Sequence, residues 1–339
     1  MAQKHASIKR ITHRILEELE ATRRIAKIMS WKEAFTTLQA KFDIQVMNRN
    51  GYHESEKQKE HLLKKHEVIL KYYEKTFANF LNTYDYNQNR ETNQPKSSYS
   101  DCIWVCWWQG LDQAPEIVKV CLESIKQNAG KHPVILLTED NYKQYVYMPE
   151  WVEKKRESGI ISRTHYSDIL RLTLLSQYGG MWLDSTFFCT NNVIESYFEK
   201  PLWSIKRPEY GHASVASGYF ANYSLACDSE HKWVFKIILD FVLEYWKNND
   251  IMIDYLFLDY LIVLAQKYDQ NIANAFQNIE PNNPECDELY KIMSQPFDEV
   301  KWDRMKRNTC LFKLSWKYSY PVEKDGKTTF YGKLLEKGL

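Results

Sequence analysis

Several of the features that most readily betray a function are missing from this chain. In 339 residues there is no run of eighteen apolar residues, so no transmembrane helix is expected. The opening, MAQKHASIKRITHRILEELE, is basic but lacks an apolar h-region, so it is not expected to act as a secretory signal. No CxxC pair occurs among the seven cysteines, and their odd number and apolar surroundings argue against a zinc site or a disulfide framework. Buried free thiols in a reducing, cytoplasmic setting are expected instead. None of the nine histidines pairs at HxxxH spacing, and there is no Gly-rich phosphate loop. Net charge is only +1, so the chain as a whole carries no electrostatic footprint for nucleic acid.

Aromatic residues, by contrast, are plentiful, with 11 Trp, 23 Tyr and 15 Phe. Such rings fill cores, and they also form platforms on which sugars and bases stack. At 40.5 kDa the chain can bury a large core, as one large domain with an appendage.

The first part, to about Leu81, reads as helical. Ile8, Ile11, Ile15, Leu19, Ile25 and Ile28 recur at helical spacing, with Lys9, Arg10, Arg14, Arg23, Arg24 and Lys27 between them. A second such segment runs from about Glu60 to Leu81. Asn82 to Ser100 is polar, contains Pro95 and reads as a linker, dividing a helical region and linker (1–98) from a second domain (99–339). The basic amphipathic start suits either packing on its own domain or a partner, or peripheral contact with an anionic membrane.

Beyond the linker, strands and helices alternate. Cys102–Trp108 reads as a strand, Pro115–Gln127 as an amphipathic helix and Val134–Leu137 as a second strand. That order predicts an α/β fold with a largely parallel sheet. Two long helices are expected at about Glu230–Lys247 and Ile253–Tyr268.

The densest signal is YSDILRLTLLSQYGGMWLDSTFF, Tyr166 to Phe188. A helical pattern runs into Gly179-Gly180, a helix ending that needs positive φ. Met181, Trp182 and Leu183 form a short buried strand that delivers Asp184 to its carboxyl edge, where open α/β sheets bind ligands. A carboxylate there, followed by the hydroxyls of Ser185 and Thr186, can meet a metal or a ribose. The plainer alternative is an Asp that caps the next turn.

Taken together, IWVCWWQG, the S-D-x-x-R helix, GGMWLD and KLSWK resemble the capsular polysaccharide synthesis proteins, a branch of glycosyltransferase family 32 with the GT-A fold. The resemblance covers about Asp101 to Lys317 and leaves the N-terminal helical region outside. It implies a Rossmann-like domain with a mostly parallel central sheet, and transfer of a sugar from a nucleotide-sugar, a UDP-sugar foremost, to a glycan acceptor that is lipid-linked or free. Configuration at the anomeric carbon would be retained. Asp184 matches the first Asp of the family's Asp-x-Asp metal motif, whereas Thr186 stands at the second. Mg²⁺ or Mn²⁺ is therefore expected to bind weakly, through Asp184 and partly through donor phosphates, with the Thr186 hydroxyl a much weaker second partner than a carboxylate.

The resemblance also places Asp168 and Arg171 in the nucleotide-sugar pocket; the plain reading is a helix-surface ion pair. It puts Trp104, Trp107 and Gln109 at the base, and Trp108 ends the same strand. Thr138 and Glu139 follow the second strand, within reach of a ribose or a base. Asn222, Asp254, Tyr255 and Asp259 fall on the donor-sugar or acceptor side, though Asp254 equally suits a helix cap. In KLSWK, Lys313 and Lys317 share one side, either as phosphate contacts or as solvated edge-strand lysines. The catalytic set implied is Asp184, Asp168 and Lys313. The competing function is a carbohydrate-binding or scaffold protein that kept the fold and lost catalysis with Thr186.

Overall fold

The computed structural model describes residues 8–49, 51–90, 97–208 and 210–337. Pro95 and the side chains of Ile8, Lys9, Arg10, Ile11 and Arg14 lie outside the described residues. Four helices come first: α1 (Ile8–Ile28), α2 (Trp31–Arg49), α3 (Glu56–Thr76) and the short α4 (Ala78–Thr83). Ser55 starts α3 with a reciprocal cap, accepting from the Gln58 backbone N–H while the Gln58 side chain accepts from the Ser55 N–H.

The α/β part follows as β1 (Ile103–Cys106), α5 (Glu116–Asn128), β2 (Val134–Leu137), α6 (Glu150–Glu157), α7 (Arg163–Gln177), β3 (Gly180–Leu183), β4 (Phe187–Cys189), α8 (Ile194–Tyr197), β5 (Leu202–Ser204), β6 (Ser224–Cys227), α9 (Lys232–Asn248) and α10 (Phe257–Tyr268). Much later comes β7 (Leu311–Lys313). The main sheet has the order β2-β1-β3-β6-β5. β1 runs parallel to β2 and to β3; β6 is antiparallel to both its neighbours, so four of the five strands point one way. The fold is thus mixed α/β with a mostly parallel sheet. β4 leaves that sheet and pairs antiparallel with β7.

Alternation along β1 explains the two-sided core. Ile103 and Val105 share a cluster with Leu122 and Ile125 of α5, whereas Trp104 joins α7 and α9 on the other face. From His165 to Leu175 α7 is buried on nearly every side, with His165, Asp168, Arg171 and Thr173 among the buried residues. The same cluster reaches into the N-terminal helices, where the Tyr73 ring lies 5.6 Å from Tyr245 and 6.0 Å from Phe257. Part of the expected linker is also packed down: the Tyr84 hydroxyl donates to Asp240 at 2.6 Å, and Arg90 pairs with Asp269. All seven cysteines are free thiols, and six of them are buried. Among the described residues, no helix is long and apolar enough to cross a membrane.

Candidate functional site

Both glycines before β3 have positive φ, +78° at Gly179 and +80° at Gly180. A Cβ on Gly180 would stand 2.5 Å from the Cys102 carbonyl oxygen, so close strand contact demands glycine there. β3 is wholly buried and ends at Leu183, which leaves Asp184 as the first residue past its carboxyl edge. The Asp184 N–H donates to the Tyr223 carbonyl at 3.1 Å, and its own carbonyl accepts from the Phe187 N–H at 3.1 Å. That tight turn swings the chain out of the main sheet into β4. Pairing of β4 with β7 then sets Phe187 opposite Lys313.

Lys313 consequently meets the Asp184 turn. Its ammonium donates to Thr186 Oγ1 at 2.7 Å and stands 3.1 Å from Asp184 Oδ2. It also lies 5.5 Å from the ring centres of Phe187 and Tyr223. The other oxygen, Oδ1, accepts from Trp182 Nε1 at 3.0 Å and from Arg171 at 3.4 Å. Arg171 is buried over the Trp182 ring and binds both the carbonyl and the side chain of Asn222, while pairing with Asp168 at 3.4 Å. Asn222 in turn donates to Asp259 at 2.6 Å, and the Ser214 hydroxyl donates to the same carboxylate at 3.0 Å. Asp184, Thr186, Lys313, Arg171, Asp168, Asn222 and Asp259 therefore form one connected cluster at the carboxyl edge of β3.

The three carboxylates are not equivalent. Burial alone would raise Asp184, but Lys313 and Arg171 outweigh it and hold this carboxyl below the ordinary range. Burial pushes Asp168 up to about 7; Arg171 opposes that shift and Asp184 adds to it. Asp259 is raised to about 6 by burial, against the hydrogen bonds from Ser214 and Asn222. Solvent still reaches the business end: the Asp184 side chain is 31% exposed and that of Lys313 20%. Near neutral pH Asp184 is ionised between Lys313 and Arg171 at the solvent-reached edge, while behind it Asp259 is largely ionised and Asp168 keeps its proton about half the time.

Other expected residues divide. Ser185 is buried next to Asp184, and Gln109 is exposed just past β1. Trp107 packs edge-on against Trp316 at 5.5 Å, forming a half-buried aromatic wall beyond the end of β1. Trp104 is not brought to the site. It is completely buried, donates its indole N–H to the Gly179 carbonyl and is enclosed by Tyr99, Tyr145 and Tyr178, so no face is left for a base. Trp108 is buried too and donates to Ser167. Glu139 is taken up by an ion pair with Arg156.

Asp254 also belongs elsewhere. It is buried 3.4 Å from Lys65 and 3.9 Å from Lys41, fastening α3 and α2 to the segment before α10, and it accepts from the Leu256 N–H at 2.9 Å. Tyr255 is exposed with its ring edge against His165, and Lys317 is exposed past β7. Residues that sequence reasoning passed over are Trp182, which donates to Asp184, Ser214, which supports Asp259, and Tyr223, whose ring flanks Lys313. Only Trp182 had a local signal, since it lies two residues before Asp184 in the same motif.

The cluster does not fit a divalent cation held by protein. Mg²⁺ or Mn²⁺ asks for an octahedron of oxygens. Among the described residues, no three of His, Cys, Asp and Glu gather to hold a metal. Asp184 and Thr186 offer one carboxylate and one hydroxyl, and the Lys313 ammonium already spans the two.

No curated protein and no solved structure matches the chain. A family model described as "Capsular polysaccharide synthesis protein" matches residues 49–334. The match is longer than the resemblance read from Asp101 to Lys317 and takes in α3 and α4. The chain belongs to the capsular polysaccharide synthesis protein family.

Proposed function

We propose that this protein is a glycosyltransferase of the GT-A type, related to family 32. It moves a sugar from a nucleotide-sugar, a UDP-sugar foremost, to a growing capsular or cell-surface glycan, acting in the cytoplasm on an acceptor that is free or lipid-linked. Membership of a capsule-synthesis family supports a role in making polysaccharide. The observation that carries the reading further is the convergence of Lys313 and Arg171 on Asp184 at the carboxyl edge of β3.

The chemistry follows from that geometry. The donor diphosphate lies against the Lys313 ammonium, with Arg171 behind. As the bond between the anomeric carbon and the diphosphate oxygen breaks, negative charge gathers on that oxygen, and a cation already in place offsets it without reorganising. The acceptor hydroxyl oxygen forms its bond to the same face of the anomeric carbon and passes its proton to the departing diphosphate oxygen, so configuration is retained. Asp184, held ionised, fixes the lysine and arginine heads in position. Among the described residues Arg171 Nε is a buried donor without an acceptor, a cost of about 1–3 kcal/mol that an oxygen-rich ligand would relieve. Trp107 and Trp316 supply the wall for the base, with Gln109 at its rim. Asn222 and Asp259 face the donor sugar, Ser185 and Lys317 the phosphates, and Tyr255 the acceptor.

The donor set gives a divalent cation no cage of its own, so no step here depends on one. A thermal-shift screen of nucleotide-sugars, followed by transfer assays with and without EDTA, tests the proposal. It expects at least one nucleotide-sugar to raise the melting temperature and to turn over in EDTA. A protein that neither binds nor turns over any nucleotide-sugar would be a scaffold with this fold.

A further inference from the structure

α2 is apolar on two opposite sides. Its inner side buries Ala34, Thr37, Ala40 and Met47 against its neighbours. Its outer side carries Trp31, Phe35, Phe42 and Val46, which at 3.6 residues per turn fall within an arc of about 60°. These four are exposed, Phe42 to 71%. The hairpin is closed by a Lys41–Glu18 ion pair at 2.6 Å, and α1 exposes Leu16 to 65% and Leu19 to 48%. An apolar face of this size on a helix hairpin calls for an occupant. The family match begins at residue 49, so the hairpin lies outside what the family model describes.

Charge indicates which occupant. The first 49 residues hold ten Lys and Arg against five Asp and Glu, a net charge of +5, which leaves the remaining 290 residues at −4. Arg23 and Lys27 on α1 and Lys32 on α2 are exposed. A second copy seated on this face would bring two patches of like sign together. A surface that is apolar below and anionic above matches both properties, with Trp31 at the hairpin bend suited to the headgroup region. No described helix can span a bilayer, so the hairpin would lie on it.

We propose that the outer face of α2 in the α1–α2 hairpin docks the protein onto an anionic lipid membrane, with Trp31, Phe35, Phe42 and Val46 entering the acyl boundary and the flanking cations meeting headgroup phosphates. The proposal stands apart from the transfer chemistry. A protein that binds vesicles but turns over no donor keeps it, and one that turns over donor but ignores vesicles loses it.

Co-sedimentation of the full chain with vesicles tests it. Phosphatidylcholine mixed with phosphatidylglycerol should carry the protein down, phosphatidylcholine alone far less, and raised salt should weaken the binding. The exposed double change Phe35→Gln/Phe42→Gln should weaken partitioning by about tenfold or more, with the melting temperature unchanged. Arg23→Gln/Lys27→Gln should reduce binding to the anionic vesicles alone. Absence of binding to anionic vesicles would overturn the proposal, as would full binding by Phe35→Gln/Phe42→Gln. Self-association of the wild type that this double change abolishes would overturn it too, assigning the face to a second copy.

Discussion

The Lys313 ammonium stands 3.1 Å from Asp184 Oδ2, at the point where β4 turns out of the main sheet. Lysine therefore supplies a positive charge directly beside the acidic residue. Lys313→Met should weaken binding of UDP or GDP by about tenfold and slow donor breakdown by about 10²–10³-fold. Added Mn²⁺ should not restore it, and EDTA should leave the wild type unchanged. Rescue of the variant by Mn²⁺ would show that an ion, not the lysine, carries the charge.

Asp168 provides a pH signature. Its folded value of about 7 lies above that of the unfolded chain, so between about pH 4 and 7 the folded form keeps a proton that the unfolded form releases. Its contribution is therefore complete below about pH 4, is lost as pH rises through that window, and is level above it. Asp259, raised to about 6, acts in the same sense. Asp184 and Asp254 are shifted downward, so their dependence falls below pH 4, outside the window. Urea midpoints at pH 4.5 and 7.5 should show a smaller fall for Asp168→Asn than for the wild type. Equal falls would mean that Asp168 is ordinary.

Two tryptophans three residues apart should behave in opposite ways. Trp104→Ala empties a closed aromatic cluster and should cost about 3–5 kcal/mol of stability. Trp107→Ala should cost little stability but lower nucleotide affinity by about 1–3 kcal/mol. Chemical denaturation alongside titration calorimetry separates the two effects.

How much of this was legible in the chain depended on distance. The Gly179-Gly180 break and the strand after it are local, and β3 ends where the pattern said it would. Val134–Leu137 was likewise legible from its apolar run. Trp104 and Trp107 were not separable, because a short strand buried on both faces shows no polar alternation. Nothing in SLAC announced that β6 would run against its neighbours, and the β4–β7 pairing joins segments far apart in sequence. α2 was the least legible helix, because two apolar faces cancel the period that would mark one.

Asp254 and Asp259 show the same limit five residues apart. Only the fold distinguishes the one bound to Lys65 from the one bound to Asn222. Asp254→Ala strands a buried lysine and should cost about 3–5 kcal/mol, with nucleotide binding unchanged. Adding Lys65→Met to that variant should recover most of the loss. A drop in nucleotide affinity at equal stability would return Asp254 to the site.

The most direct measurement is release of nucleoside diphosphate from a saturating nucleotide-sugar, compared between the wild type and Asp184→Asn at matched melting temperatures. Removing the charge that steadies Lys313 and Arg171 should slow release by about 10²-fold or more, with the sugar still bound. Equal rates in the two proteins would contradict a role for Asp184 in the departure of the diphosphate.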